Sequence, residues 1–475
     1  MPISSVPFQT FDIESHWLTI EEKRFDAEYY AKDVIAAKVI IDKLKEHNTP
    51  IKTIEYFSDE IFHRPRFKRK YVPVERGLPF LPPSEVFVFP IKIRKGIIDP
   101  PLGLMVKKDW ILITCSGTVG RCIISTSFTA NCVLSHDLIR FIPKNNSNYG
   151  YLYAYLNSTM GQAFLTKNQY GATVKHIEPH HVSAIPIPII PALEKEVHSN
   201  ILEVQILRED AQSLFIEAEE LLYSELRLSK INDDDIQYFG GELGSVVKSF
   251  EVNAQDLLGR FDASYHTPIL KLIESNLKKT GLKICKLGKL LDSIFVPTRF
   301  KRPYVKNPTD GIPFLQGSHI VQLRPMGVKY LWKKMKNIEK AKIKRNWLLM
   351  TRSGTVGRMG IVSNLLDNWA ASEHLFRLIV KNEINPGYLA AFLMFPYGEL
   401  QIKGKIYGAV VDEIGEQDTS LIEDIDIIVP SKEIRDKIGS LVLEAYYKKD
   451  KANQIEQETI DFLEQRIKEL SEKED

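Results

Sequence analysis

Ser116-Gly117-Thr118-Val119-Gly120-Arg121 recurs letter for letter as Ser353-Gly354-Thr355-Val356-Gly357-Arg358, 237 positions further along a chain of 475 residues. A single copy of such a turn carries little information, because glycines beside a hydroxyl and an arginine occur in many loops. Two copies half a chain apart pose the question of tandem duplication, which has to be settled before any local motif is read.

Trp110 leads into Ile111-Leu112-Ile113-Thr114 ahead of the first turn, and Trp347 leads into Leu348-Leu349-Met350-Thr351 ahead of the second. The pattern predicts strand, glycine turn, strand in each half. Downstream, Ser135-x-x-Leu138-x-Arg140-x-Ile142 matches Ser372-x-x-Leu375-x-Arg377-x-Ile379. Gly150-Tyr151-Leu152 matches Gly387-Tyr388-Leu389, and Tyr170-Gly171-Ala172 matches Tyr407-Gly408-Ala409, all 237 apart. Upstream, Arg24-Phe25-Asp26-Ala27 matches Arg260-Phe261-Asp262-Ala263 at 236. Arg66-Phe67-Lys68-Arg69-x-Tyr71 matches Arg299-Phe300-Lys301-Arg302-x-Tyr304 at 233, and Gly77-x-Pro79-Phe80-Leu81 matches Gly311-x-Pro313-Phe314-Leu315 at 234. The order is the same in both halves, and the drifting offset puts insertions in loops, as a diverged duplication requires.

Each half closes with an apolar strand ending at a proline, Pro191 or Pro430, and a charged helical run follows. Heptad core positions after the first half read Val197, Asn200, Val204, Leu207, Ala211, Leu214, Ala218 and Leu221. Those after the second read Ile438, Leu441, Ala445, Lys448, Ala452, Ile455, Thr459 and Phe462, each 241 further on. A shared heptad phase predicts two long helices that pack on one another, although a helix covering its own sheet produces an overlapping stripe. Asn200 and Lys448 are the irregular members. The expected plan is a leader (1–23), a globular domain (24–191), a long helix (192–235), a second domain (236–430) and a second long helix (431–475). The fold class is α+β, with two tandem α/β domains.

Lysine and arginine number 63 against 61 acidic residues, a net charge of +2, so a uniformly basic coat is excluded and local clustering decides any polyanion binding. Cys115, Cys122, Cys132 and Cys285 show neither CxxC pairing nor zinc spacing, which predicts reduced thiols. The first residues lack a signal-peptide pattern, and no apolar run approaches the ~20 residues of a membrane span. A cytoplasmic protein is expected.

The densest cationic run is Arg64, Arg66, Lys68, Arg69 and Lys70, interleaved with Phe67 and Tyr71. Its counterpart holds Arg299, Lys301, Arg302 and Tyr304. Such density suits phosphate neutralisation, against the plainer reading of a solvated hairpin, and its repetition favours binding. Two readings of the repeated turn stay open. Thr118 with Arg121, and Thr355 with Arg358, can reach phosphate oxygens, or the glycines serve only to reverse the chain. Lys167, Gln169 and Tyr170, with Lys403, Lys405 and Tyr407, flank the Tyr-Gly-Ala repeat as further candidates.

Catalytic motifs are near misses. Asp99-Pro100-Pro101-Leu102 lacks the stacking aromatic of amino-methyltransferases, Gly398 to Lys405 has the wrong spacing for a phosphate loop, and His136, His180 and His181 have no evident metal partners. The competing expectation is a self-sufficient methyltransferase or endonuclease with a divergent active site.

With both domains and both helices in place, the chain resembles the specificity subunit of type I restriction-modification systems, over nearly everything from Phe25 to Leu470. The resemblance implies target recognition domains that each read half of a split double-stranded DNA site, and long helices paired as an antiparallel coiled coil. It further implies a non-catalytic subunit of a host-defence complex, with two modification (methyltransferase) subunits and restriction/translocase subunits as partners. S-adenosylmethionine, ATP and Mg are then expected on those partners and no cofactor on this chain. If the half-sites differ, residues identical in both halves set register on the backbone, and base readers lie where the halves differ. Those positions are Arg64 against Pro297, Lys70 against Pro303, Cys115 against Arg352, and Lys167 and Gln169 against Gly404 and Ile406.

Overall fold

The structure is a computed structural model, describing residues 27–472 except 102, 146, 172, 232–249, 258 and 408–411. The expected leader, Arg24-Phe25-Asp26, Ala172, and Gly408-Ala409 lie outside the described residues, as does the expected boundary at 235–236.

Among the described residues the first domain carries ten strands: β1 (Ile51–Thr53), β2 (Ser58–Phe62), β3 (Tyr71–Val72), β4 (Leu78–Leu81), β5 (Lys95–Ile97), β6 (Ile111–Thr114), β7 (Cys122–Ile124), β8 (Val133–Leu134), β9 (Leu138–Pro143) and β10 (Pro186–Pro188). The second repeats them as β11 (Ile284–Lys286), β12 (Leu291–Phe295), β13 (Tyr304–Val305), β14 (Gly311–Leu315), β15 (Lys329–Trp332), β16 (Leu348–Thr351), β17 (Met359–Ile361), β18 (Ala370–Ala371), β19 (Leu375–Val380) and β20 (Asp426–Ile428). Every strand has its counterpart ten later. Sheets β2-β9-β6-β7 and β3-β5-β4-β8 return as β12-β19-β16-β17 and β13-β15-β14-β18, and the pair β1-β10 returns as β11-β20. Even the register irregularity between Ser58 and Glu60 reappears between Leu291 and Ser293. The duplication therefore reaches hydrogen-bond register, where the letters have largely diverged.

β6 and β16 are buried along their whole length, which is why they read as unbroken apolar runs. Opposite them, Arg140 and Arg377 are wholly buried. Arg140 donates to the carbonyls of Leu104, Leu134, Ser135 and Leu138, and Arg377 to those of Ala341, Ala371, Ser372 and Leu375. Burial lowers each guanidinium pKa to about 10. The shared Ser-x-x-Leu-x-Arg motif is thus a structural staple that gathers four neighbouring carbonyls onto one buried guanidinium.

The helices flanking the sheets are α1 (Lys32–Glu46), α2 (Tyr149–Asn157), α3 (Thr159–Lys167), α4 (Pro191–Glu225), α5 (Pro268–Lys279), α6 (Pro386–Met394), α7 (Pro396–Gly404) and α8 (Lys432–Ser471). Helix α4 stops ten residues short of the expected 235, and Arg227 beyond it takes φ 55°, the left-handed turn common after a helix end. Lys437 with Glu225, Lys448 with Asp210 and Lys451 with Glu203 bridge α8 to α4, so the long helices run antiparallel.

Their buried stripe is a heptad, shifted at every second core position from the sequence reading. Val197, Val204, Ala211 and Ala218 are core, but their alternating partners are Ile201, Arg208, Phe215 and Leu222, with Leu207 of the sequence reading buried beside Arg208. In α8 the partners are Val442, Lys449, Glu456 and Leu463. Asn200 and Lys448 are not core residues; the charged core positions are Arg208, Lys449 and Glu456.

Nor do the helices stand clear as a rod. Leu193 to Leu207 and Ala452 to Ile467 close the core of the first domain, while Ala211 to Leu222 and Ile438 to Tyr446 close that of the second. Each helix begins on its own domain and ends in the other.

Candidate nucleic-acid interface

The repeated turn explains itself locally. Thr114 N–H donates to Arg121 O, Gly120 N–H to Thr114 O and Arg121 N–H to Thr114 Oγ1, at 2.9 Å each. Thr351, Gly357 and Arg358 repeat the set at 2.9 to 3.0 Å. Gly117 and Gly354 take φ 74° and 75°, which favours glycine, and an added Cβ there meets nothing within 4 Å. The turn is a structural reversal that leaves Thr118 and Thr355 exposed at its tip.

Around that tip the first domain gathers a polar face. Gly117 N–H bonds Lys175 O, and Tyr170 and His176 exchange backbone bonds. Tyr170 Oη donates to Glu178 at 2.5 Å and His63 meets the same carboxyl at 2.8 Å. The Tyr170 bond, outweighing the opposing effect of burial, holds the Glu178 carboxyl below the usual carboxylate range. Arg69 lies over the Phe80 ring and donates to Ser135 Oγ at 3.0 Å, with Asp137 at 3.9 Å. Tyr71 packs edge-on against Phe80 with Lys95 above its ring. Arg66 and Lys68 are exposed, and Lys70 is exposed but reaches Asp99 at 3.4 Å.

The second domain repeats this face with different chemistry. Arg302 lies over Phe314 and bonds Glu373 at 2.6 Å and Ser372 at 3.5 Å; Ser353 Oγ and His374 Nδ1 lie 2.8 Å apart. Burial opposes ionisation of Glu373, but Arg302 outweighs it and lowers the pKa. Tyr304 lies beneath Lys329, Tyr407 Oη bonds Asp418, and Arg299 and Lys301 are exposed.

The structure withdraws other sequence candidates from this face. Arg352 is 1% exposed, donating to Glu373 O and Ile414 O and bonding Glu413, so the expected base reader is a buried brace. Its counterpart Cys115 is buried at the same place, where burial pushes the thiol up to about 12. Arg121 lies over the Phe87 ring at 4.3 Å and donates to Met326 Sδ. Arg358 lines an interdomain cavity of about 280 Å³ with Glu85, and Lys403 is paired at 2.9 Å with Glu399 beside it. These three residues belong to the seam between domains, where Arg121 packs on a ring, Arg358 lines the cavity and Lys403 is paired with a carboxylate. Lys405 is held by Asp424 at 3.3 Å, and Lys167 lies over Tyr29 with Gln169 just beyond its helix. Arg64 lies over Phe62 and donates to Gly103 O, whereas its counterpart Pro297 helps line an open cleft of about 380 Å³.

The sequence reading missed the pair that differs most plainly on the two faces. Ser135-His136-Asp137 stands opposite Ser372-Glu373-His374, with acid and imidazole exchanged. The rule that readers lie where the halves differ would have found it, had the two unmatched letters inside the Ser-x-x-Leu motif been compared. Burial lowers the pKa of both His136 and His374, which favours neutral imidazoles able to donate and accept. Among the described residues no cluster of His, Cys, Asp or Glu could hold a metal ion, and no helix is long and apolar enough to cross a membrane.

Two like domains, each presenting cations and a hydrogen-bonding loop beside a shared turn, and joined by paired helices, define a bipartite DNA-recognition protein. Residues 97–208 and 283–464 match the type I restriction modification DNA specificity domain, and the chain belongs to that family. It is similar to the type I restriction-modification S subunit of M. genitalium, at 12% identity over 90% of this chain and 96% of that one, with TM-score 0.34. It is also similar to the HsdS subunit of Thermoanaerobacter tengcongensis, at 13% identity over 89% and 95%, with TM-score 0.26. No curated protein sequence matches the chain.

Proposed function

We propose that this chain is the non-catalytic reader of a type I complex in the cytoplasm, holding double-stranded DNA at two half-sites while two modification subunits, and restriction/translocase subunits where present, act on it. S-adenosylmethionine, ATP and Mg then serve those partners. The observation that carries the reading is the exact repetition of sheet order around two faces whose cations are shared and whose neighbouring polar residues are not. Arg66, Lys68, Arg299 and Lys301, with Thr118 and Thr355, contact the backbone. Asp137 of one loop and His374 of the other, the accessible members of each pair, supply base discrimination, since a carboxylate accepts from a cytosine amino group and a neutral imidazole can donate to purine acceptors.

Methylation profiling of a host strain with and without the gene tests this. One split motif should lose its modified base when the gene is removed. An unchanged methylome together with tight methyl-donor binding by the isolated chain would favour a self-sufficient enzyme instead.

A further inference from the structure

The segment after β4 and the segment after β14 cross between the domains and pair with one another. Phe89 N–H donates to Val321 O at 2.8 Å and Leu323 N–H to Phe87 O at 2.9 Å, around a bridge between Val88 and Gln322. Leu81 and Leu315 are counterparts 234 apart, and so are Val88 and Gln322. Each residue of the bridge therefore meets its own repeat, and the pseudo-twofold axis passes through it.

Both flanks are fastened. On one, Arg94 donates to both oxygens of Glu399 on α7 at 2.6 and 3.0 Å, and Lys92 donates to Met394 O. Phe89 is buried in the core of the second domain between Phe215 of α4 and Tyr446 of α8. On the other, Arg324 meets Glu456 of α8 at 2.9 Å, which also receives Arg208 of α4 and Tyr153 of α2. Beneath the bridge, Gln212 of α4 bonds both the N–H and the O of Ile91, and Asn453 of α8 bonds Leu323 O.

We propose that this seam restricts the spacer length between the two half-sites, resting on the bipartite reading above. Each added base pair moves a half-site by ~3.4 Å along the duplex and turns it by about a tenth of a helical turn. A protein that accepts one spacer must hold its domains against both displacements. Both helices are built into each domain's core and so carry the mean separation of the domains. The seam joins the domains away from those cores and narrows the displacements that bending and twisting of the helix pair still allow. Glu456, Arg324, Arg94 and Gln212 are thus positioning residues for specificity, although none lies on a cationic face.

The test is methylation profiling of a host carrying the full-length chain with its partner subunits. It compares wild type with Arg94→Gln/Arg324→Gln, at partly exposed positions, and with Gln212→Leu, which keeps volume while dropping both bonds to Ile91. Both variants should keep the two half-site sequences. Methylation at spacers one base pair longer and shorter should rise about tenfold or more relative to wild type, as the loss of two or three seam hydrogen bonds would allow. An unchanged spacer in both variants, with the motif intact, overturns the seam's role alone. Altered half-site letters at constant spacer also overturn it. No split motif in the wild type removes the bipartite reading, and the seam's role falls with it. If one variant fails to accumulate, the other decides.

Discussion

Val88 of the first domain is bridged to Gln322 of the second, and the two are the same position of the repeat. The relationship makes the domains a symmetric pair in contact, and it locates the residues whose loss should be felt far from where they stand in sequence.

Phe89 comes from the first domain but is buried in the core of the second. Phe89→Ala should cost about 3–5 kcal/mol, the range for emptying a buried aromatic site. Hydrogen exchange should quicken in α6 and α7. Quickening confined to the first-domain sheets would contradict the placement.

Gly387 and Gly439 pack backbone to backbone. A Cβ on Gly387 would stand 2.2 Å from Gly439 O, in a helix crossing where neither chain can retreat. Gly387→Ala should lower stability by about 2 kcal/mol or more, within the usual range for overpacking. A melting temperature equal to wild type would show that α6 can shift outward on α8.

Glu456 is wholly buried, and burial alone would favour its neutral form. Arg208 and Arg324 outweigh burial and bring its pKa down to about 2. A folded-state pKa below the unfolded value contributes stability that is complete above the unfolded pKa of ~4.3 and is lost as pH falls through the folded one. Wild type should therefore lose stability between about pH 4.3 and 2 more steeply than Glu456→Gln. The variant should also be weaker at pH 7 by about 3–5 kcal/mol, the cost of breaking a buried pair. Parallel pH curves would remove Glu456 as the cause.

Arg66 and Lys68 are exposed on the first face. Replacing either by alanine should weaken binding equally on cognate and scrambled duplexes and flatten the salt slope by about one unit. Arg352→Ala should instead lower stability through its orphaned carbonyl and carboxylate partners. Loss of preference at a single base pair in Arg66→Ala would turn a backbone contact into a reader.

The duplication was legible because identical letters survive at turns and at buried positions such as Arg140 and Arg377, where one side chain satisfies several carbonyls. The seam was not, because Phe87 to Phe89 and Val321 to Leu323 pair through backbone groups, and backbone pairing imposes no letters. Arg121 and Arg358 misled for a related reason: a shared arginine signals a shared environment, and theirs is the other domain. The heptads were visible, but steps of three and four fit almost equally well where both candidate positions are apolar, as at Leu214-Phe215 and Leu221-Leu222. Excising one heptad from the middle of each helix would leave Leu193 to Leu207 with Ala452 to Ile467 in one core and Ala211 to Leu222 with Ile438 to Tyr446 in the other. Such a deletion should press the domains together and break the seam between them.

The bridge at Val88 has one more consequence. A contact in which Phe89 meets Val321 as Leu323 meets Phe87, the same patch of each half facing the other, is isologous, the arrangement by which two identical subunits close a dimer. Here it lies inside one polypeptide. The two halves can then diverge independently on their outer faces while the shared axis keeps them mated, so a palindromic reader becomes an asymmetric one without rebuilding its junction.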